Sequence, residues 1–384
     1  MSGKTTIKQL VVLAAVACMA CPAVGAAAEP SAGLSVQVSS ESELSTPGAG
    51  VAVAWSMDGS RLAAASQYGN VLTIWDRTGR LVNRIIRDGG GPTLGGSLAF
   101  AQGSSQIVFP PPGAADNDAA FSVWETVSGR IVKTVDGPQP GHDYPFNRAD
   151  HFATSPDETM LAIATRAGPS WGARFHQNIA IYDTRTWKLL RSIAVPLVLS
   201  SLCVFGNGRF LGLGTVNSGQ IVVVDPISGA TVTDVRAYED SKYGFVSLGA
   251  IAGSPAGDLI LSGVGSRALN GGEYLNTPEQ RAWDSSMSST EAVRLFRVKD
   301  GARVATFPFA HGPIRQAMWD PKGRYVAFVD DNRGLFLWAP WRRDGYRKVE
   351  LQGETLALAV SPDGDQIAVT ANRGVRVFSL VVAD

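Results

Sequence analysis

Residues 51–79 read Val51-Ala52-Val53-Ala54-Trp55-Ser56-Met57-Asp58-Gly59-Ser60-Arg61-Leu62-Ala63-Ala64-Ala65-Ser66-Gln67-Tyr68-Gly69-Asn70-Val71-Leu72-Thr73-Ile74-Trp75-Asp76-Arg77-Thr78-Gly79. Three short β-rich runs are separated by residues that favour tight turns. Asp58-Gly59 turns the first run into the second, and Tyr68-Gly69-Asn70 turns the second into the third. Thr78-Gly79 closes the third run, which ends in Trp75-Asp76. Apolar runs broken by Asp-Gly and Gly-Asn predict consecutive antiparallel hairpins.

The same pattern returns along the chain. The early turn reappears as Thr154-Ser155-Pro156-Asp157-Glu158, Phe205-Gly206-Asn207-Gly208, Ser254-Pro255-Ala256-Gly257, Trp319-Asp320-Pro321-Lys322-Gly323 and Val360-Ser361-Pro362-Asp363-Gly364, with Phe100-Ala101-Gln102-Gly103 a degraded copy. The late marker follows Trp75-Asp76 at Trp124-Glu125, Tyr182-Asp183, Val224-Asp225, Phe296-Arg297, Trp338-Ala339 and Phe378-Ser379. A four-stranded unit with an early Asp-Gly turn and a late Trp-Asp resembles the WD40 repeat, whose period is ~40–45 residues. The shortest spacings here match that period, and the longer ones imply insertions. The resemblance covers about nine tenths of the chain. It implies an all-β fold, a seven-bladed β-propeller of four-stranded antiparallel blades. In that family it also implies a non-enzymatic scaffold that binds proteins or peptides.

The last unit supplies only three strands, Thr355 to Val360, Gln366 to Thr370 and Gly374 to Leu380. An unpaired edge is a liability that propellers remove by closure. Within the linker Glu29 to Pro47, the alternation Leu34-Ser35-Val36-Gln37-Val38-Ser39 is the candidate for the missing outer strand. The expected organisation is therefore a targeting segment at 1–28, a linker with the closing strand at 29–46, and the propeller at 47–384.

Met1 to Ala28 has the pattern of an export signal: Lys4 and Lys8, a short apolar core from Leu10 to Val24, then Val24-Gly25-Ala26 and Ala26-Ala27-Ala28 as small-residue cleavage sites. The core is shorter than the ~20 residues of a membrane span. A periplasmic or secreted protein with no transmembrane segment in its mature form is expected. Ala15-Val16-Ala17-Cys18 would fit lipid acylation less well, because Ala15 stands where such sites prefer Leu. Cys18 and Cys21 leave with the signal, so Cys203 remains with no internal disulfide partner and reads as a buried strand residue.

The chain has 34 basic and 34 acidic residues among 384, and the mature part loses only Lys4 and Lys8. With no basic face, a nucleic-acid partner is not expected. The residues of the four histidines have no regular metal-ligand spacing, and no cofactor is expected. Asp116-Asn117-Asp118 lacks the Gly and terminal Glu of an EF-hand. Gly263-Val264-Gly265 lacks a third glycine and a following helix, and Gly253-Ser254-Pro255-Ala256-Gly257 puts Ser in the wrong place for a nucleophile elbow. His311-Gly312 matches the position of the structural histidine of WD40 units, with Asp330 or Asp331 as its expected partner.

The insertions carry the functional expectation. Pro110 to Asp118, Asp136 to Asp150, Arg166 to Gln177 and Ser266 to Glu291 all fall where a blade joins its second to its third strand or passes to the next blade. By the hairpin count they project on one face, and long loops in compact folds tend to carry function. They hold His142, Tyr144, Phe146 and Arg148, then Trp171, Arg174 and His176, and finally Tyr274, Arg281 and Trp283. Trp, Tyr and Arg supply much of the binding energy at interfaces. Tyr144, Arg148, Trp171, Arg174, His176, Tyr274, Arg281 and Trp283 are thus the candidate partner-binding residues of a monomeric fold. Two alternatives use the same architecture: a lactonase-like or esterase-like hydrolase with a metal or acid/base pair in the central channel, and a redox partner of an exported dehydrogenase.

Overall fold

The computed structural model describes residues 36–66, 70–86, 98–109, 119–136, 148–167, 176–216, 218–238, 244–269, 292–310, 313–331, 333–342, 345–353, 355–372 and 374–382. They form 28 strands in seven four-stranded antiparallel sheets. Within each of the first six sheets the spatial order follows the chain order, as a meander requires. The seven-bladed propeller expected from the repeats is the fold observed. Among the described residues there is no helix, and so none long and apolar enough to cross a membrane.

The first strand of each blade is the innermost. These strands are Gly50–Trp55, Ala99–Ala101, Arg148–Thr154, Leu199–Phe205, Gly244–Gly253, Ile314–Trp319 and Leu358–Val360. The middle strands are sandwiched between neighbouring blades and are apolar almost throughout. In blade six, Val326–Asp330 and Gly334–Trp338 are buried at every position. The outer strand Tyr346–Glu350 of the same blade buries none of its residues fully. A strand covered on both faces loses the period-two alternation, whereas one with an open side keeps polar residues.

The hydrophobic core is divided into seven clusters, one at each seam between blades. The seam of blades five and six holds Phe307, Trp319, Phe328, Phe336 and Trp338. The seam of blades seven and one holds Trp75, 3% exposed, against Val375 and Val377. The seam that closes the ring is therefore packed like the other six.

The closing strand runs Val36–Ser45 and pairs antiparallel with Gly374–Val382, from Val36 opposite Val382 to Ser45 opposite Gly374. It extends six residues beyond the Leu34 to Ser39 alternation. The register shifts between Val38 and Ser40, and the remainder, Ser40 to Ser45, is mostly polar. Both features hide a strand from a pattern search, and both suit an outermost strand that faces solvent. Glu41 there accepts from Arg376 Nε at 2.5 Å.

The strand ends alternate strictly, so each blade has a turn end and a loop end. The turns from strand one to two and from three to four share the turn end. Ser56, Asp58 and Gly59 build the first of these: Ser56 Oγ donates to Asp58 Oδ1 at 2.7 Å, the Ser60 amide donates to the same oxygen at 2.9 Å, and Gly59 takes φ +67°. Blades three and seven repeat it, with Ser155 donating to Asp157 at 2.5 Å and Ser361 to Asp363 at 2.6 Å. Five of the innermost strands carry a β-bulge near the loop end, at Val51, Asp150, Ser200, Gly249 and Arg315. A bulge re-aims a side chain, and three of these residues, Ser200, Gly249 and Arg315, border the central channel. Gly249 must be glycine, since a Cβ would lie 2.0 Å from the Ile314 carbonyl of the next blade.

Candidate functional site

Two regions of the ring could carry function: the axial channel and the loop end. The channel encloses about 570 Å³ and is walled by the innermost strands of all seven blades. Small residues such as Ala52, Ala54, Ala153, Ala317 and Ala359 make most of the wall apolar. The polar groups gather at its two ends.

At the turn end stands Glu158, only 6% exposed. In blades one, five, six and seven the corresponding turn position is Gly59, Gly257, Gly323 and Gly364, with φ between +67° and +81°. Glu158 adopts the same left-handed backbone, φ +51°, with a full side chain. Such a conformation costs a non-glycine residue on the order of 1–3 kcal/mol and tends to be kept where a site needs it. The hairpin of blade two is two residues shorter, pairing Ala101 with Gln106 where blade three pairs Thr154 with Leu161. Glu158 reaches across it, and its Oε1 accepts the Met57 amide of blade one at 2.7 Å. Its Oε2 is buried and makes no hydrogen bond of normal geometry, although the Gly103 amide lies near enough to favour the charged carboxyl.

Burial raises the Glu158 pKa above the ordinary 4.5, against the pull of the Met57 and Gly103 amides, and the charge of Asp58 pushes it the same way. Burial would raise Asp58 too, but Ser56 and Ser60 outweigh it and hold that carboxyl at about 2. The two neighbouring carboxyls are thus shifted in opposite directions, Glu158 upward and Asp58 downward. Trp55, the last residue of the innermost strand of blade one, also borders the channel, and its buried Nε1 has no acceptor.

Toward the loop end, the hydroxyl of Ser200 is buried without a partner, while that of Ser201, also unpartnered, faces Gly214 in the seam of blades four and five. Arg315 also stands toward the loop end, 45% exposed, and its NH2 group donates to Asp331 Oδ2 at 2.9 Å while Nε pairs with Oδ1. Gln316 Oε1 accepts the Leu358 amide at 2.9 Å and so ties blade six to blade seven. His151 borders the channel, half-buried. Cys203 turns its sulfur away from the axis into the seam of blades four and five. There burial pushes its thiol up to about 12, so it is no ready nucleophile. Among the described residues, no three His, Cys, Asp or Glu side chains are grouped to hold a metal ion.

The loop end is defined by its anchors. The strand ends that bracket residues 87–97, 110–118, 137–147, 168–175 and 270–291 all lie on this one side of the ring. Arg148 begins the innermost strand of blade three, opposite Arg166. His176 begins the third strand of the same blade, opposite Ala167. These two positions lie on the first and third strands of one blade, at its loop end, with the second strand between them. Tyr144, Trp171, Arg174, Tyr274, Arg281 and Trp283 lie outside the described residues, as do His142, Phe146, His311 and the Asp116 to Asp118 stretch. The channel set of Glu158, Trp55 and Ser200 was not anticipated. The signal for it was nonetheless present: Ser155-Pro156-Asp157-Glu158 places Glu where Ser361-Pro362-Asp363-Gly364 has Gly.

No known protein-family signature matches the chain, and no curated protein is significantly similar to it. The class of molecule is fixed by the structure alone: a seven-bladed β-propeller scaffold with a polar-ended channel and all its long connections on one side.

Proposed function

We propose that this chain is an exported, non-enzymatic scaffold of the WD40 type whose loop end binds a protein or peptide partner. One observation carries the reading. Every long connection is bracketed by strand ends on the same side of the ring, while the opposite side is closed by tight turns. A rigid ring that spends its extra length on one side presents a broad, variable surface there, as loops on stable frameworks do. The sequences of those connections supply Tyr144, Trp171, Arg174, Tyr274, Arg281 and Trp283, with Arg148 and His176 at their roots. Aromatic rings and a forked guanidinium lose little entropy per contact made. The basic pattern and apolar core of residues 1–28 support export to the periplasm or beyond.

The test is affinity capture with the exported protein, followed by the double substitution Trp171→Ala and Arg174→Ala. The captured partner should be lost by at least tenfold while the melting temperature stays nearly unchanged. Because the chain is close to neutral, capture should weaken only modestly as salt is raised. A partner whose binding instead follows substitutions at Asp58, Asp157 or Asp363 would move the working surface to the turn end and refute the proposal.

A further inference from the structure

Glu158 does not serve the loop end. Its side chain leaves a left-handed turn that four sister hairpins build with glycine, and it enters the opposite end of the channel. Oε1 is satisfied by the Met57 amide. Oε2 is buried and unsatisfied, and so are Trp55 Nε1 and Ser200 Oγ, on residues that line the same cavity. Buried polar atoms without partners are rare and unfavourable. Three on residues that line one cavity point to a ligand that completes them. A carboxylate oxygen can only accept and an indole N–H can only donate, while hydroxyls do either. A ligand that completes the charged carboxylate and the indole would therefore offer a donor to Glu158 and an acceptor to Trp55. The nearby Asp58 carboxylate adds a second negative charge at that end and favours a cationic donor over a neutral one. Arg315, the cation among the described residues that line the channel, stands at the far end and is already paired with Asp331. The volume of about 570 Å³ lies within the range of small-molecule sites.

We propose that the axial channel binds a small polar molecule bearing a protonated amine, of amino-acid or amino-sugar type, with its ammonium on Glu158 and one of its oxygens on the Trp55 indole N–H. The raised pKa of free Glu158 agrees with this, since an ammonium within hydrogen-bond reach stabilises the charged carboxylate that burial disfavours.

Titration calorimetry on the whole protein tests it, with glycine, lysine and glucosamine as aminated probes and glucose and acetate as controls. At least one aminated probe should bind in the millimolar range or tighter, and both controls should bind at least tenfold more weakly. Glu158→Gln keeps the length of the side chain and the acceptor for Met57 but removes the charge. It should weaken the aminated probe by about tenfold or more, equivalent to ~1.4 kcal/mol. Trp55→Phe keeps a ring and removes the donor, so it should weaken probes that carry an oxygen and spare simple alkylamines. The Trp171→Ala, Arg174→Ala protein should keep full amine binding, which separates this site from the loop end. The proposal falls if no aminated probe binds, if glucose binds as well as glucosamine, or if Glu158→Gln leaves the affinity unchanged. The comparison of glucosamine with glucose needs no variant and stands even if a substituted protein fails to fold.

Discussion

Single residues at the turn end set opposite pH responses within one small region. Glu158 is raised by burial, so its protonated form is the one the folded state prefers. Its favourable contribution is complete below the ordinary value of 4.5 and is lost as pH rises through the folded value. Glu158→Gln cannot charge, and its melting temperature should pull ahead of the parent as pH climbs above 4.5. Asp58 and Asp363 behave the other way. Burial opposes their charge, yet hydroxyl and amide donors, and Arg77 beside Asp363, hold both at about 2. Their contribution is present above the ordinary 3.8 and disappears as pH falls toward 2. Asp58→Asn should therefore flatten the acid limb of a stability curve in that window. Thermal melts across a pH series separate the two signs. A parallel response of both variants would show that the buried environment of Glu158 has been misread.

At the scale of elements, the seam between blades six and seven shows how a repeat position can be recruited. Asp320 replaces the serine of the sister turns and is fully buried. Arg324 grips it through Nε at 2.8 Å and NH2 at 3.1 Å, then reaches the Asp363 carbonyl at 3.1 Å in the next blade. Tyr325 follows with a hydroxyl bond to the Gly364 carbonyl at 2.9 Å. Arg324→Leu would strand a buried charge and should cost about 3–5 kcal/mol in urea unfolding. Arg77→Ala would break the half-exposed pair with Asp363 and should cost under ~1 kcal/mol. Similar losses would mean that the seam gains nothing from the buried pair. The same contrast explains what could be read from the chain. Turns such as Asp58-Gly59 and buried runs such as Leu335-Phe336-Leu337 announce themselves because backbone conformation and two-sided burial constrain residue type strongly. Ser40 to Ser45 escaped because an outermost strand is polar on its open side and because a bulge breaks its period. Glu158 escaped because a repeat search registers likeness, whereas its meaning lies in the departure from glycine. Arg148 and His176, read as connection residues, instead begin strands, because the pattern of a polar strand end does not differ from that of a loop.

For the whole molecule, stability is distributed over seven seams, and the last blade is completed by one pair of strands from the two ends of the ring. A chain beginning at Thr46 would lack the closing strand and leave Gly374–Val382 as an open edge. Size-exclusion chromatography with light scattering should then show association or loss of soluble protein. A monodisperse monomer melting at the parent temperature would contradict this role. The orientation of that closing pair has a mechanical side. Val36 lies opposite Val382, so the two points where the chain enters and leaves the ring sit at the same end of one antiparallel ladder. Tension applied through both points would not stretch all the cross-strand hydrogen bonds at once. It would peel them in succession from Val36 toward Ser45, each rupture exposing the next. A ring that shares heat over seven seams would thus part under a small pull on its two ends, at the junction that its sequence makes from its most distant segments.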